Sequence, residues 1–382
     1  MINRKLRLGM VGGGAGAFIG AVHRIAGLMD GQAEWVSGAF SSDPLKSKQM
    51  GEELYMDPAR VYSTYSEMIQ AESNLPESER IDAIAIVTPN HLHAAPATEA
   101  LQHGFHVMVD KPLAFSVEEA IQIQEAVEKS GCILGVTHTY SGYAMIKEMK
   151  HRISKGELGT LRKIYVEYPQ GWLTLPLEKE GQKQASWRTD PSKSGAGGAV
   201  GDIGTHAAHL AEYVTGLKIQ ELSAQLNIHI KDRLLDDDSA ALLRFNQGVT
   251  GTLVATQVAA GEENTMKLRV YGDKGGVEWS HWDPNTLIWK PLDQPMQILR
   301  AANGYLSEAA TSLGRTPPGH PEGFLEAFAN LYMEFFEAIR AHAAGEKINP
   351  DLPDVNDGVR GMKFIDAMVR SSASGGAWTS IE

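Results

Sequence analysis

Short apolar runs alternate with longer amphipathic stretches along the first third of the chain. The runs are Leu6–Val11, Trp35–Phe40, Ile81–Val87, His106–Asp110 and Ile133–Val136. They are largely apolar, as strands buried on both faces must be. Between them the spacing turns helical: a segment running on to Met29, then Ser66–Ala71, Ala94–His103, and a stretch capped by Ser116 and ending at Lys129. Glu118 and Glu119 in the first turn of that last segment complement a helix dipole. Strands alternating with helices through Thr137 predict a doubly wound domain built on a parallel sheet.

After Thr137 the rhythm changes. A helix over Tyr143–Lys155 and a strand over Ile164–Tyr168 precede a long irregular stretch, 169–198, and a helix then runs from about Gly201 to Thr215. Strands follow at Leu222–Ile230, Ala240–Phe245, Val249–Gln257, Met266–Tyr271, Gly276–Ser280 and Thr286–Lys290. Glycine turns such as Asn246-Gln247-Gly248 and Asp273-Lys274-Gly275-Gly276 separate several of them, which predicts an antiparallel sheet. Residues 291–318 read as irregular, and His320–Ala344 and Val355–Ser372 as helices that pack on one domain or bridge both.

Composition narrows the function classes. A chain of 382 residues can form two domains with their own cores. The formal charge of -12 comes without a basic run, which argues against nucleic acid or an anionic membrane as partner. A single cysteine, Cys132, excludes an intramolecular disulfide and a cysteine-based zinc site. No stretch reaches the length of a membrane span. The basic N-terminus runs through Leu8-Gly9-Met10-Val11 directly into glycines, without a secretory apolar region and cleavage site, so a cytoplasmic protein is expected.

Candidate chemistry begins at those glycines. Gly12-Gly13-Gly14-Ala15-Gly16-Ala17 between a strand and a helix fits a dinucleotide loop, in which a tight turn lets the backbone approach a pyrophosphate at the helix N-terminus. Two registers are open: Gly12-x-Gly14-x-x-Ala17, or an insertion that makes Gly20 the third small residue. Phe18 and Ile19 open the helix and join Gly12, Gly14 and Ala17 as cofactor-binding candidates. After the second strand stand Ser41, Ser42, Asp43 and Lys46, where an NAD enzyme usually has an acid for the ribose. Serine in the first position weakens discrimination against a 2′-phosphate, and no arginine is present to bind one, so NAD and NADP both stay open. The same residues also read as a helix N-cap with Pro44 in the first turn.

Val107-Met108-Val109-Asp110-Lys111-Pro112 ends a buried strand with an acid, a lysine and a proline. Pro112 has no N–H for the ladder, so the strand stops and Lys111 stands at its carboxyl end, where open parallel sheets bind ligands. By itself Lys111 also reads as a solvated lysine. Histidines at 91, 93, 103 and 106 spread over a turn, a helix and a strand, a poor spacing for a metal cluster. The irregular stretch holds Trp172, Trp187 and Arg188, suited to an ordered loop whose aromatic faces pack on sugar rings while arginine donates to hydroxyls; an oligomer contact is the other reading. Asp202, His206 and His209 fall at i, i+4 and i+7 on one helix face, which suits catalysis, a metal site, or a satisfied core histidine and cap.

Val11-Gly12-x-Gly14, Thr88-Pro89-Asn90-x-x-His93, Asp110-Lys111-Pro112 and Gly197-Gly198-x-x-x-Asp202-x-Gly204-x-His206 occur in this order over almost the whole chain. The combination resembles the glucose–fructose oxidoreductase, inositol dehydrogenase and rhizopine-catabolism (Gfo/Idh/MocA) family. The resemblance implies a Rossmann NAD(P)-binding domain over 1–137. An α/β domain over 138–382 follows, with a large open, mainly antiparallel sheet for substrate binding and oligomerisation, on which the C-terminal helices pack back. It implies that Lys111 is the active-site lysine, His206 the acid/base and Asp202 the acid that orients it or the substrate. Thr88, Pro89, Asn90, His93 and Asp110 would lie by the dinucleotide, and the Lys111–Pro112 peptide would be cis. Where many members have an arginine-rich turn, this chain has Thr139-Tyr140-Ser141-Gly142-Tyr143, so Tyr140 enters as a substrate-binding candidate.

The implied activity is hydride transfer between a nicotinamide and a secondary hydroxyl or ketone of a sugar, glycoside or cyclitol, without a metal, in a homodimer or homotetramer. Two alternatives are an NAD-dependent glycosidase working through transient oxidation and elimination, and a non-enzymatic nucleotide-sensing regulator. A regulator need not keep Lys111 and His206 together.

Overall fold

A computed structural model describes residues 2–347 and 349–381. The chain divides into two compact units: the part up to His138 together with Phe328–Arg360, and Thr139–Ala327 together with the part from Gly361 onward.

In the first unit, β1 (Leu6–Gly12), β2 (Ala33–Ala39), β3 (Ala83–Val87), β4 (His106–Val109) and β5 (Leu134–Val136) form a parallel sheet in the order β2-β1-β3-β4-β5. Every residue of β3 is buried, and all of β4 beyond His106, which explains their unbroken apolar character. The strand order reverses between β1 and β3, and in such sheets the crevice at the reversal takes the ligand. Side chains cap three of the connecting helices: Asp43 for Pro44–Glu53, Thr64 for Tyr65–Ser73 and Ser116 for Val117–Ser130. The later segment of this unit contributes a buried aromatic group, Phe328, Tyr332, Phe335 and Phe336.

The second unit is built on nine strands. They are β6 (Leu161–Pro169), β7 (Ile219–Asn227), β8 (Asp238–Phe245), β9 (Thr250–Thr256), β10 (Lys267–Gly272), β11 (Gly275–Ser280), β12 (Thr286–Pro291), β13 (Gln297–Arg300) and β14 (Thr379–Ser380). Their order is β13-β12-β11-β10-β6-β9-β8-β7-β14. Neighbours are antiparallel except β6 and β9, which run parallel with Pro169 opposite Thr256. Strict alternation along β8 buries Leu243 and Phe245 and turns Leu242 and Arg244 outward, the mark of a sheet with one covered face.

The structure corrects the sequence reading in two places. Residues 291–318 are not wholly irregular, because Gln297–Arg300 pairs with β12 as an edge strand and Glu308–Thr311 is helical. The stretch 169–198 contains three short helical turns, Leu177–Glu180, Lys183–Arg188 and Pro191–Ser194. Both errors have one cause: elements of about one turn or four residues are too short to show a period.

No helix among the described residues is long and apolar enough to cross a membrane.

His23 is fully buried, with Nδ1 2.8 Å from the Tyr332 hydroxyl and no hydrogen-bond partner at Nε2. Burial pulls its pKa down from 6.5 to about 4, and does the same to His106. As the pH falls below 6.5 the unfolded chain takes up protons that the folded chain refuses, so stability present above that value is lost toward pH 4. Moving from pH 8 to pH 5 should cost ~2 kcal/mol through His23 alone. The urea midpoint should fall over that range, and His23→Gln should shrink the fall. An equal fall in the variant would remove His23 as its source.

Candidate active site

In the first unit, the candidate dinucleotide site begins with the loop that leaves β1. Gly14 donates to the Phe40 carbonyl at 3.2 Å, which ties the loop to the end of β2. A Cβ on Gly20 would stand 2.4 Å from the Gly13 Cα, backbone against backbone. Helix Phe18–Leu28 therefore packs on the loop only because Gly20 is glycine. Of the two registers open in the sequence, this close approach fits the one with Gly20 as the third small residue, and Ala17 stands at the N-cap of the helix. Arg24, one turn further on, donates to the Gly13 carbonyl at 2.8 Å and holds the loop from the other side.

This helix has no side-chain cap and no acid in its first turn, and Phe18 at its start is 64% exposed. An uncapped N-terminus behind a glycine turn fits an anionic pyrophosphate. Gly12, Gly14, Ala17, Phe18 and Ile19 all lie in this segment. At the end of β2, Asp43 accepts from the Leu45 and Lys46 amides and pairs with the Lys46 ammonium at 3.8 Å. Its carboxylate thus serves the helix cap, while Ser42 and Lys46 are exposed and Ser41 half-buried. Bound dinucleotide would place its ribose among these residues by the general rule for this fold.

The loop after β4 carries Lys111, half-buried, and its peptide bond to Pro112 is cis. His93 is buried, with ring nitrogens 2.9 Å from the Pro112 carbonyl and 2.8 Å from the Thr88 carbonyl. It joins the loop after β3 to the loop after β4. Burial keeps its pKa below the ordinary imidazole value, against the pull of Asp110 and those carbonyls. Thr137 donates to Asp110 at 2.6 Å, which fixes the acid preceding the lysine. Asn90 is buried in the same turn, between Pro89 and His93.

In the second unit, Asp202 sits in a π-helical turn, Val200–Gly204, that leads into helix Thr205–Thr215. Turns of this kind are frequent at functional sites. One Asp202 oxygen accepts from Arg188 Nε at 3.1 Å and from the Gln257 amide at 2.8 Å. Arg188 also donates to Gln184 at 2.6 Å and lies 4.2 Å over the Trp187 ring. Gln257 approaches Gln170 at 3.4 Å, and Gln170 accepts from the Trp172 indole at 3.0 Å. The network continues from Gln170 to Asn264 at 2.6 Å, and from Asn264 to Tyr168 at 2.7 Å and Tyr140 at 3.2 Å. The Tyr140 and Tyr168 hydroxyls share a short hydrogen bond. His206 packs edge-on against Tyr140, ring centres 5.0 Å apart. Burial pushes Tyr140 up to about 12 and holds Tyr168 well above the ordinary phenol value, so both stay neutral phenols.

The structure thus joins Tyr140, Trp172, Trp187, Arg188 and Asp202 in one hydrogen-bonded and packed assembly, with His206 against it. His209 takes another course and stacks on Tyr213 at 5.6 Å. Among the described residues no three His, Cys, Asp or Glu side chains are placed to hold a metal ion. Sequence reasoning missed Arg24, Tyr168, Gln170, Gln257 and Asn264. None of them carried a sequence signal of its own: Tyr168, Gln170 and Gln257 come together because β6 and β9 end side by side as a parallel pair.

A glycine-cradled helix N-terminus at the reversal of a parallel sheet defines a dinucleotide-binding protein, and comparison with known proteins agrees. Residues 6–138 match the NAD-binding Rossmann fold of an oxidoreductase family, and residues 146–278 match the GFO/IDH/MocA C-terminal domain. The uncharacterized oxidoreductase YfiI of Bacillus subtilis is 32% identical, over 100% of this chain and 98% of its own. Levoglucosan dehydrogenase of Pseudarthrobacter phenanthrenivorans is 26% identical over 97% of both. The crystal structure of an inositol dehydrogenase homologue from Azotobacter vinelandii, complexed with NAD+, matches with a TM-score of 0.93 at 34% identity, over 99% of this chain and 98% of that one. The chain belongs to the Gfo/Idh/MocA family of oxidoreductases.

Gly20→Ala should weaken dinucleotide binding at least tenfold in a fluorescence titration, because the new methyl meets backbone that cannot yield. Unchanged affinity would place the binding loop elsewhere.

Proposed function

We propose that this protein is an NAD(P)-dependent dehydrogenase acting on a secondary hydroxyl, or the matching ketone, of a sugar, glycoside or cyclitol. The observation that carries this reading is the amide and hydroxyl network around Asp202. Gln170, Gln257, Asn264, Tyr140 and Tyr168 offer donors and acceptors side by side, flanked by the Trp172 and Trp187 rings. Such a set matches a ring with several hydroxyls, each both donor and acceptor. The named activities of relatives, on levoglucosan and inositol, concern ring compounds of this type.

His206 takes the hydroxyl proton in oxidation and returns it in reduction, as an imidazole can. The Lys111 ammonium stabilises the negative charge that develops on that oxygen. Asp202, paired with Arg188 at 3.1 Å, orients the reacting hydroxyl. Bound nicotinamide supplies the acceptor for the carbon-bound hydrogen. Ser41, Ser42 and Lys46 decide between NAD and NADP, and separate titrations with the two read that choice. The outward residues of the nine-stranded sheet, Leu242 and Val254 among them, support a homodimer or homotetramer.

The test is dinucleotide reduction at 340 nm with a panel of cyclitols, anhydrosugars and glycosides. Lys111→Ala and His206→Ala should each lower kcat about a thousandfold or more, in line with losing a general base or a charge stabiliser. Dinucleotide affinity should persist in His206→Ala. Near-normal turnover in both variants would sink the mechanism. Release of a free sugar from a glycoside without net dinucleotide reduction would sink the dehydrogenase reading in favour of a glycosidase.

A further inference from the structure

Asp236, Asp237 and Asp238 are three consecutive acids, and Asp236 and Asp237 are buried. Asp236 binds three consecutive amides. Gly198 donates to one carboxylate oxygen at 2.6 Å, Val200 to the other at 2.8 Å, and Ala199 to the Asp236 carbonyl at 2.8 Å. Those amides begin the helical run that carries Asp202 and His206. The first N–H groups of a helix need partners outside it, and the residues just before this one, Gly195-Ala196-Gly197, offer no capping side chain. A carboxylate from elsewhere in the chain does the capping, at the end of the helix dipole that favours it.

The fit is close on both sides. A Cβ on Gly198 would stand 2.1 Å from the Asp236 carbonyl oxygen. Asp237 extends the same device, because its carbonyl accepts the Gln257 backbone amide at 2.8 Å and the Gln257 side chain holds Asp202. Asp237 is held in turn by the His229 and Ile230 amides and by Arg233. Arg233 reaches on to Glu178, within the stretch that carries Trp172 and Arg188.

We propose that Asp236 is a positioning residue for the reaction: by gripping Gly198, Ala199 and Val200 it sets where Asp202 and His206 stand. The inference rests on the dehydrogenase reading given above. Asp236 touches neither substrate nor dinucleotide in this scheme and acts only through the helix. A displacement of ~1 Å in a reacting group can cost ~10²-fold in rate, so a loose helix start should show in turnover.

Two readouts on Asp236→Asn test this. Hydrogen–deuterium exchange should speed up in peptides spanning 197–206 and stay unchanged in those of the parallel sheet. The kcat for the best polyol should fall tenfold or more while the dinucleotide KM moves less than twofold, after normalising to folded protein by dinucleotide binding. Faster exchange with kcat within twofold of the parent means a purely structural cap and overturns the proposal. So does a fall in kcat with exchange unchanged, or a loss no greater than the loss of folded protein. If Asp236→Asn fails to fold, Gly198→Ala presses the same contact from the opposite side and carries both readouts. A parent protein that oxidises no polyol overturns the functional reading instead, and the exchange result still reports whether Asp236 grips the helix.

Discussion

A half-buried carboxylate has to be paired, and in the second unit that requirement organises everything around Asp202. One of its oxygens takes both the Arg188 guanidinium and the Gln257 amide. Each partner then needs its own support. Arg188 finds Gln184 and the Trp187 face, and Gln257 finds the Asp237 carbonyl and Gln170. Removing one member would leave a charge in a poorly solvated place, which costs more than the bond itself was worth. The long stretch 169–198 is thus tied to the start of the helix by charge-assisted hydrogen bonds through Arg188, beside the apolar burial of Leu173 and Ala185.

The first unit answers a different constraint, close approach of backbone to backbone. Gly13 and Gly20 meet where no side chain can stand, and Arg24 closes the arrangement by binding the Gly13 carbonyl. That leaves the start of helix Phe18–Leu28 without the side-chain cap that Asp43, Thr64 and Ser116 give to other helices of the unit. Helix Ala94–Gln102 also lacks a side-chain cap, but it continues from the helical turn Asn90–Leu92, whereas an uncapped start directly behind a glycine turn is a stronger pointer to an anionic ligand than glycine content alone.

Much of this was legible in the sequence. Continuous apolar runs spaced by helices pointed to the parallel sheet, since crossover helices cover both of its faces. Asp110-Lys111-Pro112 stood out because a proline stops a ladder, and Asp202 and His206 because titratable groups on a mostly apolar helix need a reason. A helix N-cap within Ser41-Ser42-Asp43 could be read from Pro44 in the first turn, and the structure gives that role to Asp43. What stayed hidden was polar and single. Gln170, Gln257 and Asn264 look in a sequence like any amide that follows or lies between strands, and only the pairing of β6 with β9 brings the first two together. The edge strand β13 was lost because four residues with polar flanks show no alternation.

Asp236 shows why such residues escape pattern reading. Three adjacent acids suggest solvent, because a charge run usually is a solvated face. Burial of the first two is tolerable only because backbone amides take the place of water. Even so, burial raises Asp236 to about 6, with Asp237 adding to the rise and the Gly198 and Val200 amides opposing it. A carboxylate kept at that cost serves the helix it caps, since an apolar residue in its place would leave the Gly198 and Val200 amides unsatisfied. The Gly197-Gly198 start of the family motif and the distant Asp236 are thus two halves of one contact: the glycine makes room and the acid fills it.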